Sequence, residues 1–287
     1  MDADAAHMTL DNPAAKAAAA PGREELKDRV ALVTGGTRGI GLAVCEALAR
    51  QGAVVVTCGS TARSVGHCEQ RARELGLPIT PLLADVEKED AVDTLVREII
   101  ERHGKLNLLV PAAGRAFRGA ATETTASDWD RCLSINLRAP FLIVRAALPH
   151  LIRSGDSSIV FVSSIWAVTA TYRRVAYTVA KSGLTDLARA LAIDHAGDGV
   201  RVNAVAPGYV DTDLLRQSLS EINPGRRIDQ LLAEATDDHP LKRLPRPEEI
   251  GEVVAFLVGP WARCITGQTI VIDSGITTRY ALAERWK

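Results

Sequence analysis

Three side chains carry the clearest chemical signal. Tyr177 and Lys181 stand four residues apart, a spacing that projects both from one face of a helix. A cation beside a phenol favours the phenolate and draws a reference pKa of about 10 toward working pH. A tyrosine tuned in this way gives a proton to a carbonyl oxygen or takes one from an alcohol. Ser164 stands thirteen positions before Tyr177, at the end of the β-branched run Ile159–Ser163. Its hydroxyl is therefore expected at the carboxyl end of a strand, where open α/β sheets bind ligands, and there it would hold the substrate oxygen. Tyr-x3-Lys alone is common on helix surfaces; its combination with an upstream serine and a glycine turn is far more specific.

That turn is Thr34-Gly35-Gly36-Thr37-Arg38-Gly39-Ile40-Gly41, between a strand and a helix. Its glycines let the backbone bend sharply and approach a ligand, and the helix N-terminus offers free N–H groups to a phosphate. The spacing Gly35-x3-Gly39-x-Gly41 differs from G-x-G-x-x-G, and no Lys-Ser/Thr follows as in a P-loop. In a dinucleotide fold the residue ending the second strand discriminates the cofactor, an acid taking the ribose 2′-OH of NAD. No Asp or Glu occurs between Glu46 and Glu69, whereas Arg38, Ser60, Thr61 and Arg63 offer cations and hydroxyls to a 2′-phosphate. The pattern predicts NADP(H).

The elements that must position these groups alternate regularly. Strands are expected at Val30–Thr34, Val54–Thr57, Ile79–Leu83, Leu106–Val110, Ile159–Ser163, Val200–Val205 and Thr269–Ile272. Helices are expected at Gly41–Gln51, Ala62–Leu75, Ala91–His103, Ser127–Ser154, Val175–His195 and Pro247–Val258. This alternation predicts a single-domain α/β Rossmann fold, a doubly wound seven-stranded parallel sheet with helices on both faces. Residues 211–246 break the rhythm with two weak helical patterns around Asn223-Pro224-Gly225 and read as a lid. Residues 1–24 are Ala-rich without apolar periodicity and read as a disordered arm ahead of a catalytic domain at 25–275; residues 276–287 form a tail.

Composition bounds the function. Lys and Arg total 34 against 35 Asp and Glu, so no global charge draws the chain to nucleic acid or an anionic membrane. No apolar run approaches the ~18 residues of a membrane span, and the N-terminus lacks a secretory pattern. Five dispersed cysteines without CxxC read as reduced thiols of a cytoplasmic protein. The six histidines show no HxH or HxxxH spacing, so no metal site is expected; His103, His150 and His195 read as residues near helix ends.

With these residues assembled, residues 25–275 resemble the short-chain dehydrogenase/reductase family. The matching stretches are Thr34–Gly41, Asp85-Val86, Ala113-Gly114, Asn136 in Ser-Ile-Asn-Leu, the Ser164/Tyr177/Lys181 set, Pro207-Gly208-Tyr209-Val210-Asp211-Thr212 and Ile265-Thr266-Gly267-Gln268. The resemblance implies reversible hydride transfer between NADP(H) and a small carbonyl/alcohol pair. It implies Tyr177 as acid/base and Ser164 as the oxygen-positioning group. It further implies that Lys181 holds the ribose and depresses the Tyr177 pKa, and that Asn136 supports a relay water. Asp85 and Val86 would contact adenine, Val210 and Thr212 the nicotinamide carboxamide, with Ala113, Gly114, Pro207 and Gly208 lining the cofactor. The family's Asn-Asn-Ala-Gly is here Pro111-Ala112-Ala113-Gly114, and its Asp-Gly-Gly is Asp273-Ser274-Gly275. A homo-oligomer, dimer or tetramer, is implied, with Ala126–Ile143 as one packing stretch.

Placement near the acid/base makes Trp166 and Tyr209 substrate candidates, together with Arg115, Phe117, Ile165, Thr171, Tyr172, Leu214 and Leu215. Arg115, Arg173 and Arg174 read as solvated, the alternative being capture of an anionic group or a carrier's phosphopantetheine. Two other functions share the motif: reduction of an activated C=C or C=N bond, and non-catalytic NADP-binding regulation. The intact Ser164/Tyr177/Lys181 set argues against the latter.

Overall fold

Runs of β-branched residues bury both faces of their strands, so they need a layer of helices on each side. The computed structural model describes residues 24–278. The expected arm, apart from Glu24, and residues 279–287 of the tail lie outside the described residues. Seven strands form one sheet: β1 (Val30–Thr34), β2 (Val54–Gly59), β3 (Ile79–Leu83), β4 (Leu108–Pro111), β5 (Ser157–Val162), β6 (Val200–Pro207) and β7 (Thr269–Ile272). All pairings are parallel, in the order β3-β2-β1-β4-β5-β6-β7. The chain reverses its direction of winding between β1 and β4, which opens a crevice at their carboxyl ends. Ser164 and the glycine turn both reach this crevice.

Successive strand residues point to opposite faces and feed two cores. Leu32, Ile159, Phe161 and Val202 pack with α3 (Glu89–His103), α5 (Ala139–Ser154) and α6 (Val175–His195). Val33, Val55, Val160 and Val205 pack with α1 (Gly39–Arg50), α2 (Ala62–Leu75) and α9 (Pro247–Val258). Helices α1 and α9 touch closely because Gly251 has no side chain; a Cβ there would lie 2.7 Å from the Ala43 carbonyl oxygen.

One departure from the sequence expectation matters for the site. The single helix expected over Ser127–Ser154 is α4 (Ala126–Leu133), one π-helical turn (Ser134–Arg138) and α5. A π-turn widens the helix locally, and this one carries Asn136. The Ala126–Ser154 run is apolar and long enough to cross a membrane by length and composition, but its Ile143, Val144, Ala147 and Leu151 are buried in the core. The stretch 211–246 folds as α7 (Asp213–Ile222) and α8 (Ile228–Asp238), separated at Asn223-Pro224-Gly225 as the sequence suggested.

Candidate active site

The glycine turn is shaped by steric exclusion. A Cβ at Gly35, where φ is 69°, would come within 2.7 Å of Ala113 Cα, and one at Gly41 within 2.4 Å of the Gly35 carbonyl oxygen. Thr37 is buried below the turn. Helix α1 begins at Gly39 with no side-chain cap from Arg38 and no acid in its first turn. Its first amides and positive dipole end therefore remain available to an anion. Such a cradle fits the pyrophosphate of a nicotinamide dinucleotide. Ser60, Thr61, Arg38 and Arg63 lie exposed along the same edge, and among the described residues no ion pair engages either arginine. Thr61 also caps α2, accepting from the Ser64 amide at 3.2 Å.

The other expected cofactor positions follow the carboxyl ends of β3, β4 and β6. Asp85 accepts from the Glu87 amide at 3.1 Å, holding the turn that carries buried Val86. Thr34 ties β1 to the end of β4 and the segment after it, where residues 111 and 112 carry no asparagine amides. Its carbonyl accepts from Ala112 N–H at 3.2 Å and its hydroxyl from Ala113 N–H at 3.4 Å. Gly208 lies against Asp273, where a Cβ would meet the aspartate Cβ at 2.9 Å, and buried Val210 follows Pro207 at the end of β6. Thr212 caps α7 by accepting from Leu215 N–H at 3.3 Å, and its methyl lies 3.6 Å from the Cβ position of Gly39. The start of α7 thus stands beside the glycine turn.

Four residues of the proposed chemistry meet at the end of β5. Ser163 donates to the Lys181 carbonyl at 3.0 Å, and Lys181 Nζ donates to the Val162 carbonyl at 3.0 Å, stitching α6 to the strand. Ser164 Oγ accepts from Trp166 N–H at 3.3 Å, which starts a short 3₁₀ turn. Lys181 Nζ is 5.7 Å from the Tyr177 ring centroid. Asn136 is fully buried; its amide donates to Arg115 O at 3.0 Å and Cys132 O at 3.1 Å, and its Oδ1 accepts from Arg115 N–H at 3.2 Å. A Cβ at Gly114 would lie 2.8 Å from Asn136 Oδ1 and 3.5 Å from Lys181 Nζ, so this glycine leaves room for both buried side chains.

The electrostatics correct one expectation. Lys181 does not depress the Tyr177 pKa in the structure. Burial pushes the phenol up to about 12, opposed first by the Arg174 guanidinium and then by hydrogen bonding to Ser164. Burial also pulls the Lys181 ammonium down to about 8. Taking the charge out of water is the largest influence on each of the two groups.

The cleft wall combines residues from three segments. Trp166 packs edge-to-face on Tyr209 with ring centroids 6.1 Å apart, and Tyr209 packs on His239 at 5.9 Å. His239, at the end of α8, is fully buried and escaped sequence reasoning, since no metal-like spacing marks it. Of the other substrate candidates, Ile165 and Leu215 are buried, Phe117 is partly buried, and Arg115, Thr171, Tyr172 and Leu214 are exposed. Tyr172 projects into solvent at 93% exposure and forms no part of the wall. Arg173 pairs with Glu123. Arg174 is not a solvated arginine: it is partly buried, donating to the Phe117 carbonyl at 3.0 Å and to Ser218 Oγ of α7 at 2.8 Å. No group of three or more His, Cys, Asp or Glu side chains suited to a metal occurs among the described residues.

The family model described as "Enoyl-(Acyl carrier protein) reductase" matches residues 35–277. A tropinone reductase homolog of Datura stramonium is 35% identical over 256 residues, spanning 89% of this chain and 94% of the relative. Human dehydrogenase/reductase SDR family member 4 is 33% identical over 258 residues, covering 90% of each chain. Among solved structures, a single-substitution variant of actinorhodin polyketide ketoreductase with NADPH superposes with a TM-score of 0.84 at 29% identity, covering 89% of this chain and 99% of that one.

Proposed function

Because the chain belongs to the short-chain dehydrogenase/reductase family and is thereby a carbonyl/alcohol oxidoreductase, we propose that it is an NADPH-dependent reductase of ketones or aldehydes, acting reversibly. One observation carries the reading: Ser164, Tyr177 and Lys181 converge at the carboxyl end of β5, across the crevice from the α1 phosphate cradle. When bound, a nicotinamide ring gives or takes the hydride. The chain's own groups then have separable tasks. Ser164 Oγ donates a hydrogen bond to the substrate oxygen and fixes its position. Tyr177 delivers the proton to that oxygen, and its high pKa keeps the proton available in the reducing direction. Lys181, anchored on Val162, holds ribose hydroxyls. Asn136 holds the π-turn and the Arg115 backbone in register and supports a relay water. Trp166 and Tyr209 form an apolar wall for the rest of the substrate.

The preference for NADPH rests on Arg38, Ser60, Thr61 and Arg63 and on the acid-free stretch between Glu46 and Glu69. Titrating both cofactors into the purified protein tests it: Arg38→Asp is expected to weaken NADPH binding by about tenfold or more. Comparable wild-type affinity for NADH overturns the assignment. Ketone, enone and imine panels separate carbonyl reduction from reduction of a C=C or C=N bond. We also place the chain in the cytoplasm as a homo-oligomer, dimer or tetramer. The exposed apolar side chains Phe141 on α5 and Val179 and Ile193 on α6 support that assembly.

A further inference from the structure

Arg174 is the N-cap residue of α6, three positions before Tyr177. Among the described residues most other arginines are exposed or paired with carboxylates; Arg174 is neither. Its guanidinium is partly buried, and its two hydrogen bonds go to neutral acceptors, the Phe117 carbonyl and the Ser218 hydroxyl. Among the described residues no carboxylate lies within 4.0 Å of it. A guanidinium has five N–H donors, so three stay uncommitted. It is near enough to the two cleft phenols, Tyr177 and Tyr209, to act on both electrostatically. Burying a cation beside a substrate cleft without a directly paired carboxylate is costly, and a ligand anion would offset that cost.

We propose that Arg174 makes this site selective for carbonyl substrates that carry a carboxylate, which its guanidinium fork holds while the carbonyl lies at Ser164 and Tyr177. The inference rests on the proposed carbonyl reduction and names its substrate class. The fork matches the two oxygens of a carboxylate. A monoanion suits the site better than a phosphate dianion: Arg118 is the nearby second cation, while Glu221 and Asp238 add negative charge around Arg174 and Tyr209.

The test compares 3-oxobutanoate and 4-oxopentanoate with their methyl esters, using NADPH and wild type, Arg174→Gln, Arg174→Lys and Ser218→Ala. The readout is the acid-to-ester ratio of kcat/KM, which cancels any effect of Arg174 on Tyr177 itself. Wild type is expected to favour the acids by about tenfold or more, chiefly through KM, the scale of one charge-assisted contact. Arg174→Gln should bring the ratio near one, with Arg174→Lys between. Ser218→Ala should keep the wild-type ratio, because it removes the contact to α7 and leaves the cation. Thermal melting and NADPH titration of each variant confirm that the fold persists. A wild type that prefers the esters, an acid preference that survives Arg174→Gln, or a ratio that collapses in Ser218→Ala overturns the proposal. Turnover of the esters alone would sink the carboxylate inference and spare carbonyl reduction. Failure on all four compounds and on a broad ketone and aldehyde panel would sink both.

Discussion

At the scale of single residues, the site is governed by the competition between burial and charge. Tyr177 is held up to about 12 by burial, against the pull of Arg174 and the Ser164 hydroxyl. The phenol is therefore protonated throughout the neutral range. Tyr177→Phe is expected to lower turnover by about 10²-fold or more with nicotinamide cofactor binding retained, measured by initial rates beside fluorescence titration. Lys181 offers a test of sign. Its folded pKa of about 8 lies below the ordinary 10.5, so between those values the unfolded chain binds more protons than the folded one. Stability from this group is lowest below pH 8 and rises as pH climbs from 8 toward 10.5. Denaturant melts from about pH 7 to 10 should show that rise, with this group's share reaching on the order of 3 kcal/mol, and Lys181→Met should flatten it. A larger rise in the variant would refute the assignment.

At the scale of elements, contrasting glycines show which parts of the backbone are committed. Gly41 sits inside the turn, where a Cβ would lie 2.4 Å from the Gly35 carbonyl oxygen; Gly66, within α2, has nothing within 4 Å of that position. Gly41→Ala should weaken cofactor binding by about tenfold or more and lower the melting temperature, because the phosphate turn must open to admit the methyl. Gly66→Ala should raise stability by about 1 kcal/mol, since alanine suits a helix interior better than glycine and meets no obstacle. Equal effects of the two substitutions would contradict the tight geometry of the turn.

At the scale of the whole molecule, helices on both faces must stay registered on the sheet. Arg201 on β6 does this for α9: Nη1 donates to the Leu257 carbonyl at 2.7 Å and the Ile265 carbonyl at 3.3 Å, and Nη2 to Gly259 O at 3.4 Å. At Leu257 and Gly259 the cation meets carbonyls of the helix end, while Ile265 O also accepts from the Asn203 amide at 2.8 Å. Arg201→Met is expected to cost about 2 kcal/mol in denaturant unfolding, chiefly by removing the donor to the Leu257 and Gly259 carbonyls. An unchanged midpoint would remove Arg201 from that role.

Much of this architecture was legible in the residues. The limits of β1, β3, β7, α2, α6 and α9 agree with the β-branched runs and apolar periodicity, because these signals are local; β1 is buried along its whole length, whereas the edge strands β3 and β7 are only partly buried. Glycine spacing located the tight turn between β1 and α1 because its steric requirement is local. The π-turn at Asn136 was not legible: its residues continue a helical pattern, and the extra backbone residue is set by packing between α4 and α6. Nor did sequence reveal that His239 stacks on Tyr209, or that Arg174 is partly buried while neighbouring Arg173 pairs at the surface. The sequence by itself determined which groups are present, their helical or strand face and the alternation that winds the sheet. Tertiary structure alone decided which charges lose their water, and desolvation depends on everything packed around a group, not on its neighbours along the chain.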